Sequence, residues 1–117
     1  NFFNATTKWL PSDEPPLMNT LHLLTHSPFN DNRFHSCLPL LAAGDGLLLS
    51  GDAVYALQPG TAALQALQQL PQGIALFALQ EDLLARDLST LPTRVASVDY
   101  PAFVDLCITY SRVNSWL

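Results

Sequence analysis

Charged residues are scarce in this chain. Only 13% of its 117 residues are Asp, Glu, Lys or Arg, about half of the roughly 25% found in an average soluble domain. Because 49% of the residues are hydrophobic, the composition predicts that some of the surface is covered in an oligomer. The formal charge is -5, and the basic residues form no stripe for a phosphate backbone, which argues against direct nucleic-acid binding. The five basic residues are Lys8, Arg33, Arg86, Arg94 and Arg112.

Long apolar runs and cysteines are also few. No run approaches the roughly 20 residues of a membrane-spanning helix, so we expect a soluble domain that does not enter a membrane. The two cysteines, Cys37 and Cys107, do not form the dense pattern of a secreted disulfide scaffold, which favours a reducing compartment. A chain of this length supports one hydrophobic core, and therefore one domain.

Residues 1–17 differ in composition from the rest of the chain. Pro11, Pro15 and Pro16 lie among polar and acidic residues, which disfavours a regular helix, and the segment has no signal-peptide pattern. We expect a flexible tail or an upstream segment here, with Met18 as a native start. The predicted domain spans 18–117.

The segment from Ile74 to Leu88 predicts a strand that leads directly into a helix. Six apolar residues run without alternation up to Leu79, as in a strand covered on both faces. Glu81 and Asp82 follow, and acidic residues in a first helical turn interact favourably with the helix dipole. We expect this strand to be central in the sheet. Its carboxyl end is a candidate functional edge, because ligands usually bind there in open α/β sheets.

Further predicted strands alternate with helices. Short apolar segments bounded by turn residues predict strands at Thr20–Thr25, Leu47–Ser50 and Arg94–Val98. The last residues, Val113–Leu117, form either an edge strand or a docking tail anchored by Trp116. This alternation favours a small doubly wound, mostly parallel α/β sheet with helices on both faces.

The helices are marked by their capping residues. Asn30–Asn32, Thr61 and Asp99 each precede a segment with helical periodicity, so we expect a helix to begin after each of them. The inward residues predicted for the last helix are Phe103, Val104, Cys107, Ile108 and Tyr110.

Cys37 is the one candidate site residue for sulfur chemistry. Phe34, Cys37, Leu38 and Leu41 share one face of the first predicted helix, which Pro39 bends or shortens. One interpretation is a small buried hydrophobic residue. The other is a reactive thiol whose pKa is lowered by the helix N-terminus about two turns away.

Other polar constellations do not meet the requirements of a site. His22 and His26 lie four residues apart on an extended strand, about 13 Å from each other, so they cannot bind one zinc ion. Ser27, His26 and Asp52 supply the residue types of a hydrolytic triad, but no nucleophile elbow is present. Asp52 either binds a ligand or caps the apolar segment that follows it. Glu81 and Asp82 are adjacent on a predicted helix, so their side chains diverge and do not form an acid/base pair. We expect neither a bound metal nor a cofactor.

A set of motifs resembles the TusB/DsrH family. The likeness runs in order from Met18 to Leu117, and ALQEDLLAR is its most specific part. The motifs are Leu21-His22, Ser27-Pro28-Phe29, GD-LLL at Gly44–Leu49, Asp52, ALQEDLLAR at Ala78–Arg86, DY--FV-L at Asp99–Leu106, and Trp116. This resemblance implies a DsrE/F/H-like fold and a subunit of a cytoplasmic sulfur-relay complex.

The resemblance also implies partners. In the Tus branch, TusB, TusC and TusD form a heterohexamer that passes persulfide sulfur to a TusE-type carrier for thiolation of the tRNA wobble uridine. In the Dsr branch, the related DsrE, DsrF and DsrH subunits and a DsrC-type carrier serve sulfur oxidation. The sulfur-carrying cysteine belongs to the TusD/DsrE-type subunit, so this chain is expected to be a structural, non-catalytic subunit. Cys37 matches a position where DsrH-type members carry a cysteine. The alternative to a purely structural role is therefore that Cys37 carries persulfide sulfur directly.

Overall fold

Five parallel strands form one sheet in the part of the chain that the structure describes. The structure is a computed structural model, and it describes residues 19–116. The predicted tail, residues 1–17, lies outside the described residues. The sheet order is β4-β3-β2-β1-β5, and every neighbouring pair is parallel. The strands are β1 Thr20–Leu24, β2 Gly46–Leu49, β3 Ala75–Leu79, β4 Val95–Val98 and β5 Arg112–Trp116.

Helices flank both faces of the sheet, which confirms the doubly wound α/β prediction. Strands β1 to β4 are neighbours in chain order, and the chain then returns past them to place β5 beside β1. Because crossovers between parallel strands are nearly always right-handed, this reversal puts the last helix on the opposite face from the first three. The helices are α1 Arg33–Cys37, α2 Ala62–Gln68, α3 Gln80–Ala85 and α4 Tyr100–Thr109.

The main core lies between the sheet and the first three helices. Alternate side chains of the strands, such as Leu24 and Leu47, pack there with Phe34, Leu67 and Leu83 from the helices. The other strand face, which α4 covers, contains the buried side chains of Leu21, Leu48 and Leu79. Both strand faces therefore carry apolar residues, and the strands read as continuous apolar runs.

The central strand is β2, and the expectation that the 74–79 strand is central was wrong. All four residues of β2 are buried, and two strands lie on each side of it. In β3, Ala75 and Phe77 are only half-buried. Strand position depends on where the chain reverses direction between crossovers, and an apolar run does not report that.

The first helix is shorter than its apolar stripe indicated. After Cys37 the chain tightens into a 3-10 turn, Leu38–Leu40, which contains Pro39. The start of α1 is stabilised by Asp31, whose carboxylate accepts the Arg33 backbone N–H at 3.0 Å. The Asn32 side chain makes no capping hydrogen bond. Proline cannot donate a backbone hydrogen bond, which explains why the regular helix ends here.

Two of the predicted caps are confirmed. Thr61 Oγ1 accepts the Leu64 N–H at 3.2 Å, and Asp99 Oδ1 accepts the Ala102 N–H at 3.0 Å. Each cap satisfies a backbone donor that the first helical turn leaves unpaired. Among residues 19–116, no helix has both the length and the apolar character needed to cross a bilayer.

Helix α4 differs from its prediction in the direction of two side chains. Val104 and Ile108 were expected to face inward, but they are 53% and 76% exposed. Phe103, Cys107 and Tyr110 are half-buried, as an inward position requires. Because α4 is apolar around most of its circumference, periodicity alone could not identify the stripe that contacts the sheet.

The chain ends in an edge strand. Strand β5 pairs with β1 in parallel, with Trp116 beside Leu24. Of the two predicted possibilities, the strand is confirmed and the docking tail is wrong. Trp116 also packs against the main core, so it anchors this edge of the sheet.

Candidate functional site

Cys37 lies in the main core, where its thiol is inaccessible. The residue is fully buried, which confirms the predicted place on the apolar stripe. Burial raises the pKa of the Cys37 thiol to about 12, and the nearby Asp45 carboxylate contributes to the same shift. Since Asp45 immediately precedes β2, the thiol faces the amino-terminal side of the sheet. It is therefore not on the side of the carboxyl edge, where α/β sheets usually bind ligands.

Asp45 is the buried centre of the amino-terminal edge. Its two carboxylate oxygens accept the backbone N–H groups of Thr20 at 2.9 Å and of Ala42 at 3.0 Å. His22 Nε2 lies 3.7 Å from Asp45 Oδ2, and both residues are only 6% exposed. This arrangement connects the start of β1 with the turn before β2. From the sequence, Asp45 was noted only as part of the GD-LLL motif, although an acid between two glycines at the start of a strand was the available signal.

At the carboxyl edge, the candidate Ser27–His26–Asp52 triad is not assembled. His26 is exposed, and Ser27 is buried with its hydroxyl accepting the Phe29 N–H at 3.2 Å. Asp52 pairs with Arg86, at 2.8 Å from Nη2 and 3.2 Å from Nε. Asp52 is itself the second residue of the 3-10 segment Gly51–Leu57, and its carboxylate binds Arg86 and neither caps that segment nor orients a histidine.

Arg86 and Asp82 join the loop after β2 to helix α3. Asp82 Oδ2 accepts the Gly51 N–H at 2.7 Å, while Arg86 Nη1 donates to the Asp82 backbone carbonyl at 3.2 Å. The guanidinium also lies 5.7 Å from the centre of the Tyr55 ring, within the range of a cation–π contact. The hydrogen bond to Asp52 raises the pKa of Arg86. All of these groups are used within the chain, so the cluster acts as a structural clasp.

The two adjacent carboxylates of α3 diverge, as predicted. Glu81 turns away from Asp82 and accepts the Tyr100 N–H at 3.4 Å through Oε2. Its second oxygen, Oε1, is buried without a hydrogen-bond partner. Glu81 thereby brings the start of α3 close to the start of α4. Within residues 19–116, no three His, Cys, Asp or Glu side chains are grouped as a metal site would require.

Comparisons with known proteins agree with this fold. The model of the family described as DsrH like protein matches residues 26–113. Protein TusB of Escherichia coli O81 is 39% identical over 97 residues, which are 82% of this chain and 99% of the relative. Protein TusB of Erwinia tasmaniensis is 40% identical over the same shares. The crystal structure of the ychN protein from E. coli has a TM-score of 0.71 and 18% identity, and the match covers 85% of this chain and all of that one. This chain belongs to the TusB/DsrH family.

Proposed function

We propose that this protein is a structural subunit of a cytoplasmic sulfur-relay complex of the TusB–TusC–TusD type. The observation that carries the structural role is the burial of the Cys37 thiol. Family membership supports the relay, and the lack of a catalytic constellation among the described residues is compatible with a subunit that does no chemistry. The chain then holds other subunits in place while sulfur passes between them.

The chemistry of persulfide transfer explains why burial decides the role of Cys37. A thiolate, and not a thiol, attacks an incoming persulfide. With a pKa of about 12, fewer than about one Cys37 side chain in 10,000 is ionised at pH 7. A carrier must also reach the sulfur, and the fully buried Cys37 offers no approach.

The partners follow from the same proposal. A TusD/DsrE-like subunit carries the reactive cysteine, a TusC/DsrF-like subunit completes the assembly, and a TusE/DsrC-like carrier receives the sulfur. In the Tus branch, the sulfur is used for thiolation of the tRNA wobble uridine, and we propose this branch because the relatives compared above are TusB proteins. Low charge content, 13% of residues, supports a chain that is partly covered by other subunits.

The test is sulfur transfer by a reconstituted complex that contains Cys37→Ser. The reaction is followed as thiolated tRNA and, separately, as labelled sulfur reaching the TusE-like carrier. The variant should retain most transfer at a temperature where the complex remains assembled. Replacement of the TusD-like cysteine is the positive control for loss, and Cys107→Ser is the matched control within this chain. Loss in Cys37→Ser comparable to the positive control would show that Cys37 carries sulfur.

A further inference from the structure

The outward side of α4 is apolar where a surface helix is normally polar. Tyr100, Val104 and Ile108 are 52%, 53% and 76% exposed. Residues spaced by four lie above one another on a helix, so these three form one stripe about 12 Å long. We call it the outer α4 stripe. A helix that is apolar on nearly all sides is typical of one covered on both sides.

The inner side of α4 is already in contact with the sheet, so the stripe is not free to turn inward. Phe103, Leu106 and Cys107 are half-buried against the strands. Beyond the helix, the Tyr110 ring packs over Gly46, where an added Cβ would lie only 2.5 Å from the Tyr110 hydroxyl oxygen. At the other end, the Asp99 cap holds the first turn. Rotation of α4 to bury the stripe would break these contacts.

A further exposed apolar residue lies past the end of α4. Val113 pairs with Leu21 on the sheet face that α4 covers, yet Val113 is 41% exposed. Four residues along the chain separate it from Ile108. One helix is too narrow to cover five strands. Part of the sheet face on the α4 side is therefore uncovered and accessible to another polypeptide.

The charged residues around the stripe indicate which charges a binding partner should carry. Asp99 and Asp105 are exposed on α4 or at its start, and residues 19–116 contain no lysine. Each described arginine has a partner within the chain: Arg33 with Asp31, Arg86 with Asp52, Arg94 with backbone carbonyls of the 67–74 segment, and Arg112 with a group of its own surroundings. Within residues 19–116, a second copy of this chain offers no lysine and no arginine without an intrachain partner to place against Asp99 and Asp105. A different polypeptide with lysine or arginine around an apolar patch fits better.

We propose that the outer α4 stripe is the docking surface for a different subunit, one that presents an apolar patch rimmed by lysine or arginine. This inference rests on the proposed role as a subunit of a relay complex. The apolar contacts supply the affinity, and the acidic residues beside the stripe favour a basic partner over a second copy of this chain.

The test measures binding of purified TusC-like and TusD-like subunits to the full chain and to Ile108→Glu. Ile108 is the most exposed member of the stripe, so the substitution leaves folding intact, which a thermal melt checks. We expect Ile108→Glu to increase the dissociation constant at least tenfold. The matched control is Leu40→Glu, because Leu40 is 61% exposed in the 3-10 turn on the opposite face. It should bind like the unsubstituted chain.

Two further measurements identify the occupant. Asp105→Lys should weaken binding, Asp105→Asn should have an intermediate effect, and the difference should shrink at high salt as charge interactions are screened. Sedimentation of the chain alone tests the other occupant: a homodimer abolished by Ile108→Glu would overturn the inference of a different partner.

The failures of the two proposals are distinguishable. If the unsubstituted chain binds neither subunit, the proposed function fails and this inference fails with it. If the unsubstituted chain and Ile108→Glu bind equally well, the proposed function stands and the docking surface lies elsewhere.

Discussion

The indole N–H of Trp116 donates a hydrogen bond to Nδ1 of His22 at 3.1 Å. An indole nitrogen can only donate, so Nδ1 must accept, and the neutral His22 ring carries its proton on Nε2. Nε2 itself lies 3.7 Å from Asp45 Oδ2. The last strand of the sheet is therefore tied by side chains to the first, in addition to the backbone pairing of β1 with β5.

We predict that His22→Leu loosens this edge of the sheet. The substitution removes the acceptor for Trp116 and the donor near buried Asp45, and it should lower the free energy of unfolding by about 1–3 kcal/mol. The measurement is urea unfolding followed by Trp116 fluorescence in a Trp9→Phe background. His26→Leu is the control, because His26 is exposed and should change stability by less than about 0.5 kcal/mol. Equal stability of the two variants would contradict a structural role for the His22 pair.

We predict that the two acids of the carboxyl-edge clasp differ in their contribution to stability. Asp82→Ala leaves the Gly51 N–H without its 2.7 Å acceptor, and an unsatisfied, partly buried donor costs about 1–3 kcal/mol. Asp52→Ala removes an ion pair whose carboxylate side chain is 55% exposed, and such pairs contribute only about 0–1 kcal/mol. Chemical denaturation of both variants checks the order. A larger loss in Asp52→Ala would show that the ion pair, and not the backbone bond, holds the loop.

Local features of this fold were predictable from the sequence, whereas the contacts between distant segments were not. The Thr61 and Asp99 caps depend on neighbouring residues, and both are confirmed. The pairing of Trp116 with His22 joins residues that are 94 positions apart. It exists only because the chain reverses its direction after β4, and no local pattern encodes that reversal. Arg86 meets Asp52, 34 positions away, because β2 and β3 are neighbours in the sheet, and no local pattern encodes that pairing.

We predict that Gly46→Ala displaces the segment after α4. The added Cβ would lie 2.5 Å from the Tyr110 hydroxyl oxygen and 2.8 Å from the ring carbon that carries it, so the ring must move. Overpacking of this kind typically costs about 1–3 kcal/mol. Combining Gly46→Ala with Tyr110→Leu should cost less than the sum of the two single losses, because the clash disappears with the ring. Thermal unfolding of the single and double variants measures this coupling, and strict additivity would rule out a direct contact.

We predict that removal of residues 1–17 changes thermal stability little. The segment contains three prolines, and its apolar residues do not recur with the spacing of a helix or a strand. We therefore do not expect it to pack against the core. The melting temperature of the 18–117 fragment should match that of the full chain within about two degrees, a difference that corresponds to well under 1 kcal/mol. A loss of several degrees would show that the segment docks on the domain.

The last prediction concerns the stability of the protein at alkaline pH, which depends on Cys37. Its pKa rises from 9.0 to about 12 on folding, so above pH 9 the unfolded chain releases a proton that the folded chain retains. The unfolded state then binds fewer protons, and stability falls as pH increases between about 9 and 12. The slope due to Cys37 approaches about 1.4 kcal/mol per pH unit within that window, and it is zero below the window, where the stabilisation is fully present.

Replacement of the thiol isolates this contribution. Cys37→Ala should be less stable than the unsubstituted chain at pH 7.5, because it leaves a small cavity. Its stability should then decline less steeply from pH 9 to pH 10.5. Tyr110, whose pKa burial also raises, affects both proteins equally and cancels in the comparison. Cys107→Ala provides the matched control, because Cys107 is the other free cysteine and is only half-buried. Identical slopes in Cys37→Ala and the unsubstituted chain would mean that the Cys37 thiol ionises as readily in the folded protein as in the unfolded one, and the case for a purely structural Cys37 would lose its physical basis.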